Sequence, residues 1–185
     1  DPCFSYELES IIKKGIDDMY VQNNDRYYYI TLMNENYKHP ERPAEATDEN
    51  IMKGAYCFSR PNKPDFRVLA SGLTLNFAID AQNILKRYDI ELEIWSITSF
   101  NELYKDGIEA ERGERYFDTD EKSHVSKIFN EPIPTIAVSE YQRAYANQIK
   151  QWSTSDYIVL GTDGFGRSDT REKLRDFFEI DASHI

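Results

Sequence analysis

The chain has 185 residues, with 33 Asp and Glu against 22 Lys and Arg, a net charge of −11. That balance lacks the clustered Lys and Arg that release counterions from phosphates, so nucleic acid is not an expected partner. No apolar run approaches the roughly 20 residues that cross a bilayer, and hydrophobic residues at 40% exceed what a disordered chain carries, so a soluble folded domain is expected and a membrane is not.

The start, Asp1-Pro2-Cys3-Phe4, has no initiator methionine and none of the basic-then-apolar pattern of a signal peptide. The expectation is a piece of a longer polypeptide. Cys3 and Cys57 fit no CxxC spacing and are expected as free thiols in a reducing cytoplasm.

Phe4, Leu8, Ile11, Ile12, Ile16, Met19 and Tyr20 repeat as the stripe of an amphipathic helix. Residues 27–33, three tyrosines followed by Ile30, Thr31, Leu32 and Met33, have the aromatic and β-branched content of a strand. Residues 34–64 hold Pro40, Pro43, Pro61 and Pro64 with little periodicity, which predicts a linker. A domain boundary is placed near Thr47, with a short extended piece at residues 56–60.

Beyond it the order becomes regular. A strand at residues 67–71 ended by Gly72 precedes a helix with Phe77, Ala81, Ile84, Leu85 and Tyr88 on one face. A second strand, residues 92–97, leads into Ser99 and Glu102, an S-x-x-E capping box. The run 109–115 is read as a solvated helix face with i, i+3 ion pairs. A short helix near residues 125–129 precedes a third strand, 135–138, and a second capping box at Ser139 and Gln142. That box opens a helix with Tyr141, Ala144, Tyr145, Gln148, Ile149 and Trp152 on one side. A fourth strand at 157–160 is followed by a glycine-rich turn, a third box at Asp169 and Glu172, and a helix burying Leu174, Phe177 and Phe178. Residues 179–185 read as a short strand or connection. Strands alternating with helices predict an α/β class: three layers, α/β/α, around a mainly parallel, roughly five-stranded sheet.

His39, His124 and His184 are scattered, with no HxxxH, no HExxH and no acidic partner at helical spacing. They are read as surface or structural. No G-x-S-x-G elbow or Walker loop occurs. The one glycine-rich candidate, Gly161-Thr162-Asp163-Gly164-Phe165-Gly166-Arg167-Ser168-Asp169, lies ahead of a helix N-terminus, where anions bind. Asp163 and Asp169 repel a phosphate, and glycines there serve positive φ, so the turn is read as structural. The residues alone thus give a domain with no catalytic, cofactor-binding or metal-binding residue assigned.

Three motifs occur in order: Tyr28-Tyr29-Ile30-Thr31 with Asn34-Glu35-Asn36-Tyr37, then Thr98-Ser99-Phe100-Asn101-Glu102-Leu103, then Leu160-Gly161-Thr162-Asp163-Gly164-Phe165-Gly166-Arg167-Ser168-Asp169. Together they resemble the homodimeric pyruvate dehydrogenase family, the thiamine-diphosphate-dependent first component of the bacterial complex, over nearly the whole chain. The turn by itself is similar to transketolases, which share the C-terminal domain.

The resemblance implies that residues 1–46 end a pyrimidine-binding middle domain and begin the linker, that 47–66 complete the linker, and that 67–185 form a transketolase-like C-terminal domain without its last helices, leaving one flank of the sheet uncovered. It implies thiamine diphosphate and magnesium in the full-length enzyme, none in this piece, and pyruvate as substrate. The implied partners are a second copy and a lipoyl-bearing dihydrolipoamide acetyltransferase. Asn23-Asn24 precedes the glycine-rich turn instead of following it, so the family's cofactor motif is not carried onto it. Where many members have Glu-Arg-Trp, this chain has Glu111-Arg112-Gly113, and the glycine predicts a helix that ends or bends. The alternatives are the same domain of a transketolase or related thiamine enzyme, and an independent anion-binding α/β module.

Overall fold

The computed structural model describes residues 1–117, 119 and 122–185. Helix α1 (Ser5–Ile16) continues into a π-helical turn, Asp17–Val21. A short helix α2 (Asp48–Met52), capped by Thr47, feeds β1 (Ala55–Ser59). Then come β2 (Phe66–Ala70), α3 (Thr74–Leu85), β3 (Leu92–Ile97), α4 (Phe100–Phe117), α5 (His124–Ile128), β4 (Thr135–Val138), α6 (Arg143–Asn147), β5 (Tyr157–Leu160) and α7 (Arg171–Phe177).

The strands form one sheet in the order β1-β3-β2-β4-β5, with β1 antiparallel to β3 and every other pair parallel. Strand alternation divides the core in two. Val68, Ala70, Leu92 and Ile94 meet Phe4 and Tyr6 from the α1 region and Leu75, Ala78 and Ala81 of α3. Leu69, Trp95 and Ile97 meet Phe100 and Leu103 of α4, Val125 and Ile128 of α5 and Ala146 of α6. The class and the three layers are as the alternation predicted. All six residues of β3 are buried, as a strand covered on both faces must be.

Several local expectations are corrected. Residues 27–33 have no regular secondary structure and pair with no strand among the described residues, and Tyr27 and Tyr29 are 89% and 87% exposed. Strand propensity without a neighbouring ladder leaves the backbone unpaired. Within residues 47–66, read as linker, α2 and β1 belong to the sheet-bearing unit. Gly54 makes that entry possible with φ +98°, and a Cβ there would sit 2.6 Å from the Ser99 carbonyl oxygen.

Helix α3 turns Leu75, Ala78, Ala81 and Gln82 inward, while Ile84 and Tyr88 of the expected face are exposed. Only half of the Ser99 box forms. Ser99 Oγ accepts from Glu102 N at 3.1 Å, but Glu102 turns to Lys105 and Ser99 N donates to Gly54 O instead. The other two boxes do not form, because α6 starts only at Arg143 and Asp169 accepts from Thr170 N. The helix expected through Trp152 is broken into α6 and a 3₁₀ turn at Lys150–Trp152. Of the buried face expected for α7, Phe177 is 51% exposed. Gly113 does not end α4, which runs on to Phe117; residues 118, 120 and 121 of the expected charged segment lie outside the described residues. Residues 179–185 form turns rather than a strand.

Candidate functional site

In a doubly wound sheet, ligands bind outside the carboxyl ends of the strands where the connections diverge. Here that point lies between β2 and β4. Its floor is closed by Ser71 N donating to Val138 O at 3.2 Å and by Thr74 Oγ1 donating to Val138 O at 3.0 Å. The chain's own first residue lies over it. Asp1 O accepts from Gly72 N at 3.0 Å, and the Asp1 carboxylate accepts from Thr31 Oγ1, Tyr145 OH (2.8 Å) and Tyr141 OH (3.2 Å). Burial pushes the Tyr145 hydroxyl up to about 12. The crevice is an internal joint.

Next to it Glu7, fully buried, is held by four donors. Its Oε2 accepts from Cys3 N and Phe4 N, the latter at 2.8 Å, and its Oε1 accepts from Tyr56 OH and Ser96 Oγ, both at 2.6 Å. Tyr56 in turn shares a 2.8 Å bond with Tyr6 OH. Burial, with Glu7 close by, raises the pKa of the Cys3 thiol and of the Tyr56 phenol. This carboxylate fastens the start of α1 to β1 and β3, and sequence reasoning missed it, since a glutamate in a first helical turn ordinarily faces water.

The Asn34-Glu35-Asn36-Tyr37 motif forms a strap. Arg175 of α7 donates to both Glu35 oxygens, at 3.1 and 2.6 Å, and to Glu140 at 3.3 Å. Tyr37 OH donates to Cys3 O, Tyr37 stacks on His39 at 5.0 Å, and His39 Nδ1 accepts from Ser5 N. Arg175 holds Glu35 below the usual carboxylate range, while burial keeps Glu140 above it despite the same arginine.

The glycine-rich turn is tied to α6. Asp163 accepts from Arg143 N (3.0 Å) and Nε (2.7 Å), which lowers its pKa, and Arg167 lies 3.9 Å over the Phe177 ring. Gly164 and Gly166 have φ of +81° and +75°, so the glycines do serve positive φ. Asn23, at φ +53°, follows the π turn and its cap Gln22.

His124 Nε2 lies 3.0 Å from Ala55 O. His184 does have an acidic partner at helical spacing, Asp181 at 2.8 Å, which raises the histidine's pKa; with Asp176 these ligand atoms lie within 4.8 Å of one another on the surface. A cleft of about 780 Å³ opens between the α1 side and the α4 N-terminus, lined by Lys14, Arg26, Tyr28, Ser99, Asn101 and Lys105 among others.

Residues 54–181 match the model of the transketolase-like TK C-terminal domain, and the chain belongs to that family. Residues 1–40 match the pyruvate dehydrogenase E1 component middle domain. The chain is 44% identical over 189 residues to the pyruvate dehydrogenase E1 component of Cupriavidus necator, covering 98% of this chain and 21% of that protein. It is 38% identical over 192 residues to the same component of Escherichia coli K12, covering 100% of this chain and 21% of that one. The chain thus spans about a fifth of the length of these relatives. Among solved structures, the transketolases of Campylobacter jejuni (TM-score 0.54, 19% identity, 80% of this chain and 19% of that one) and Leishmania mexicana (0.55, 18%, 77% and 18%) share the fold. No helix among the described residues is long and apolar enough to cross a membrane.

Proposed function

We propose that this chain is the C-terminal portion of a thiamine-diphosphate-dependent pyruvate dehydrogenase. That enzyme decarboxylates pyruvate and transfers the acetyl group to a lipoyl group of the acetyltransferase component. The observation that carries the reading is the succession of a pyruvate dehydrogenase middle-domain segment and a transketolase-like C-terminal domain in one chain. The Glu7 and Arg175 contacts rivet the first to the second. The crossing runs through residues 34–47, and the second unit begins at α2.

The described residues do not fit the cofactor themselves. The switch-point crevice is filled by Asp1, Glu7 is sealed among four donors, and Asp163 is spent on Arg143. No reaction step is routed through them. Thiamine diphosphate and magnesium belong to other parts of the longer enzyme, which works in the cytoplasm as a homodimer within a multienzyme complex. This domain supplies a rigid platform, dimer contacts and one wall of the substrate channel, for which the 780 Å³ cleft is the candidate stretch. A wall that excludes water protects a reactive intermediate.

The test is an antibody raised against the chain, used to capture the source polypeptide from its cell. A band several times heavier than 21.7 kDa with thiamine-dependent pyruvate oxidation, read by ferricyanide reduction, supports the proposal. Turnover of sugar phosphates instead would favour the transketolase reading, which the shared fold keeps open. A band at the chain's own size without either activity would refute both. In the heavier protein, removal of residues 67–185 is expected to impair dimerisation or activity; a fully active product would refute the platform role.

A further inference from the structure

Glu179 sits in the left-handed region, at φ +57°, and so turns the chain back at the end of α7. Glu179 N donates to Asp176 O at 3.1 Å, and Ile180 N donates to Arg175 O at 3.0 Å. The next turn is closed by His184 N and Ile185 N, which both donate to Asp181 O at 3.2 Å. Asp176, from the last turn of α7, thereby meets Asp181 and His184, and one ligand atom from each of the three lies within 4.8 Å of the others.

The bonding of these groups is uneven. Asp181 Oδ1 accepts from Ser183 N at 3.0 Å and from Ser183 Oγ at 2.7 Å, and lies 2.8 Å from His184 Nδ1. Asp181 Oδ2 and both oxygens of Asp176 have no hydrogen-bond partner among the described residues, and no lysine or arginine pairs with either carboxylate there. Glu179 adds to the negative field at His184. Two carboxylates thus face one another beside an imidazole, an arrangement that a divalent cation bridges and neutralises.

The site has room for such an ion. Asp176 is exposed, and the side chains of Asp181 and His184 are 26% and 32% exposed, so an ion enters from solvent and keeps part of its water. The imidazole decides the class. Magnesium and calcium take oxygen ligands, whereas a nitrogen with two carboxylate oxygens suits a borderline ion such as zinc. The backbone bonds to Asp181 O hold two of the three ligands in place before any ion arrives, which lowers the ordering cost of binding.

We propose that Asp176, Asp181 and His184 form a surface site for a divalent transition-metal ion of the zinc class, which takes one imidazole nitrogen and two carboxylate oxygens and keeps water in its remaining positions. The bound ion pins the turn at residues 179–185 to the end of α7. Ile180, Ala182 and Ile185 of that turn pack on the core cluster beneath α3, so the ion holds this corner of the core shut. The site is independent of the activity proposed above.

Zinc is the probe, titrated into the untagged polypeptide that carries these residues. Calorimetry is expected to show one equivalent of zinc whose affinity falls at least about tenfold in His184→Gln and in Asp176→Asn. Both side chains lie at the surface, so both variants should fold. Asp169→Asn, at an exposed acid outside the cluster, is expected to bind zinc as the parent does; an equal loss there would reduce the site to diffuse charge and overturn it. Crystals soaked in zinc should show an anomalous peak about 2.0–2.2 Å from a nitrogen of His184 and an oxygen of each aspartate. Zinc should raise the Tm of the parent and not that of His184→Gln, as for a ligand bound only by the folded state. No bound equivalent, an anomalous peak away from these three residues, or unchanged affinity in His184→Gln would each overturn the proposal.

Discussion

Replacing Glu7 by alanine tests the fastening of α1 to the sheet. The change removes the acceptor for Cys3 N and Phe4 N, two amides at the start of α1 with no carbonyl of their own helix to meet. Each buried donor left unpaired costs about 1–3 kcal/mol. The hydroxyls of Tyr56, Ser96 and Tyr6 recover part of their bonding among themselves, and removal of a buried charge returns part of its desolvation cost. The net expectation is a loss of about 2–4 kcal/mol, read as a lower urea midpoint at unchanged slope and a fall in Tm of about 4–16 °C for a domain of this size. Glu7→Gln keeps one carbonyl oxygen for the amides and turns an NH2 toward two hydroxyls able to accept, so it should cost at least about 1 kcal/mol less than alanine. Equal losses in the two variants, or an alanine variant within about 0.5 kcal/mol of the parent, would refute the account of the carboxylate as a four-donor acceptor.

Arg175→Met should lower stability at neutral pH by about 1–2 kcal/mol, after discounting for the part-exposed partners. It should also reshape the acid limb. Glu35 is depressed in the fold, so its contribution is present above its usual pKa and lost as pH falls through the folded value; Glu140 is raised, so its contribution is lost as pH rises. The variant should therefore be flatter below pH ~4.5 and steeper above it, as urea melts from acid to neutral pH would show. Gly107→Ala places a Cβ in steric clash with the Trp152 ring, which must shift and so loses the 3.0 Å bond from Trp152 Nε1 to Glu111. A red shift in tryptophan emission and a loss of about 1–3 kcal/mol are expected; unchanged emission would count against that packing. Asp1→Ala should deprive Thr31, Tyr141 and Tyr145 of their shared acceptor, costing about 1–2 kcal/mol, yet leave the Gly72 amide protected in hydrogen exchange because it binds the Asp1 carbonyl.

What the sequence disclosed depended on how local each decision is. Residues 92–97, 135–138 and 157–160 match β3, β4 and β5 at both ends, since a short apolar run between polar turns suffices for a strand covered on both faces. From sequence, strand β1 shows only as an extended piece inside a linker, because its place at the sheet edge is decided by β3, about forty positions on. Residues 27–33 show the reverse, strong strand composition with no ladder to join among the described residues. The capping motifs were overread because Glu102 found Lys105 and Asp163 took the start of α6. Glu7, Glu93 and Arg67 look solvent-facing in any window of sequence, and their burial follows only from contacts across the fold. A charged pair at matching positions of adjacent parallel strands was the one available sign of the buried Arg67–Glu93 pair.

The contacts of Asp1 and Glu35 also set a timetable. Asp1 meets Tyr145 across 144 positions, and Glu35 meets Arg175 across 140. At about 5–20 residues per second of synthesis, α1 and the strap have left the ribosome on the order of ten seconds before their partners exist. During that interval the hydrophobic cluster that holds Phe4 and Tyr6 is incomplete, since Val138 and Ile180 are still to be made. Nascent chains bearing this segment should therefore be clients for hydrophobic-segment chaperones, and slowing translation beyond Trp152 should lower the soluble yield without touching the finished fold.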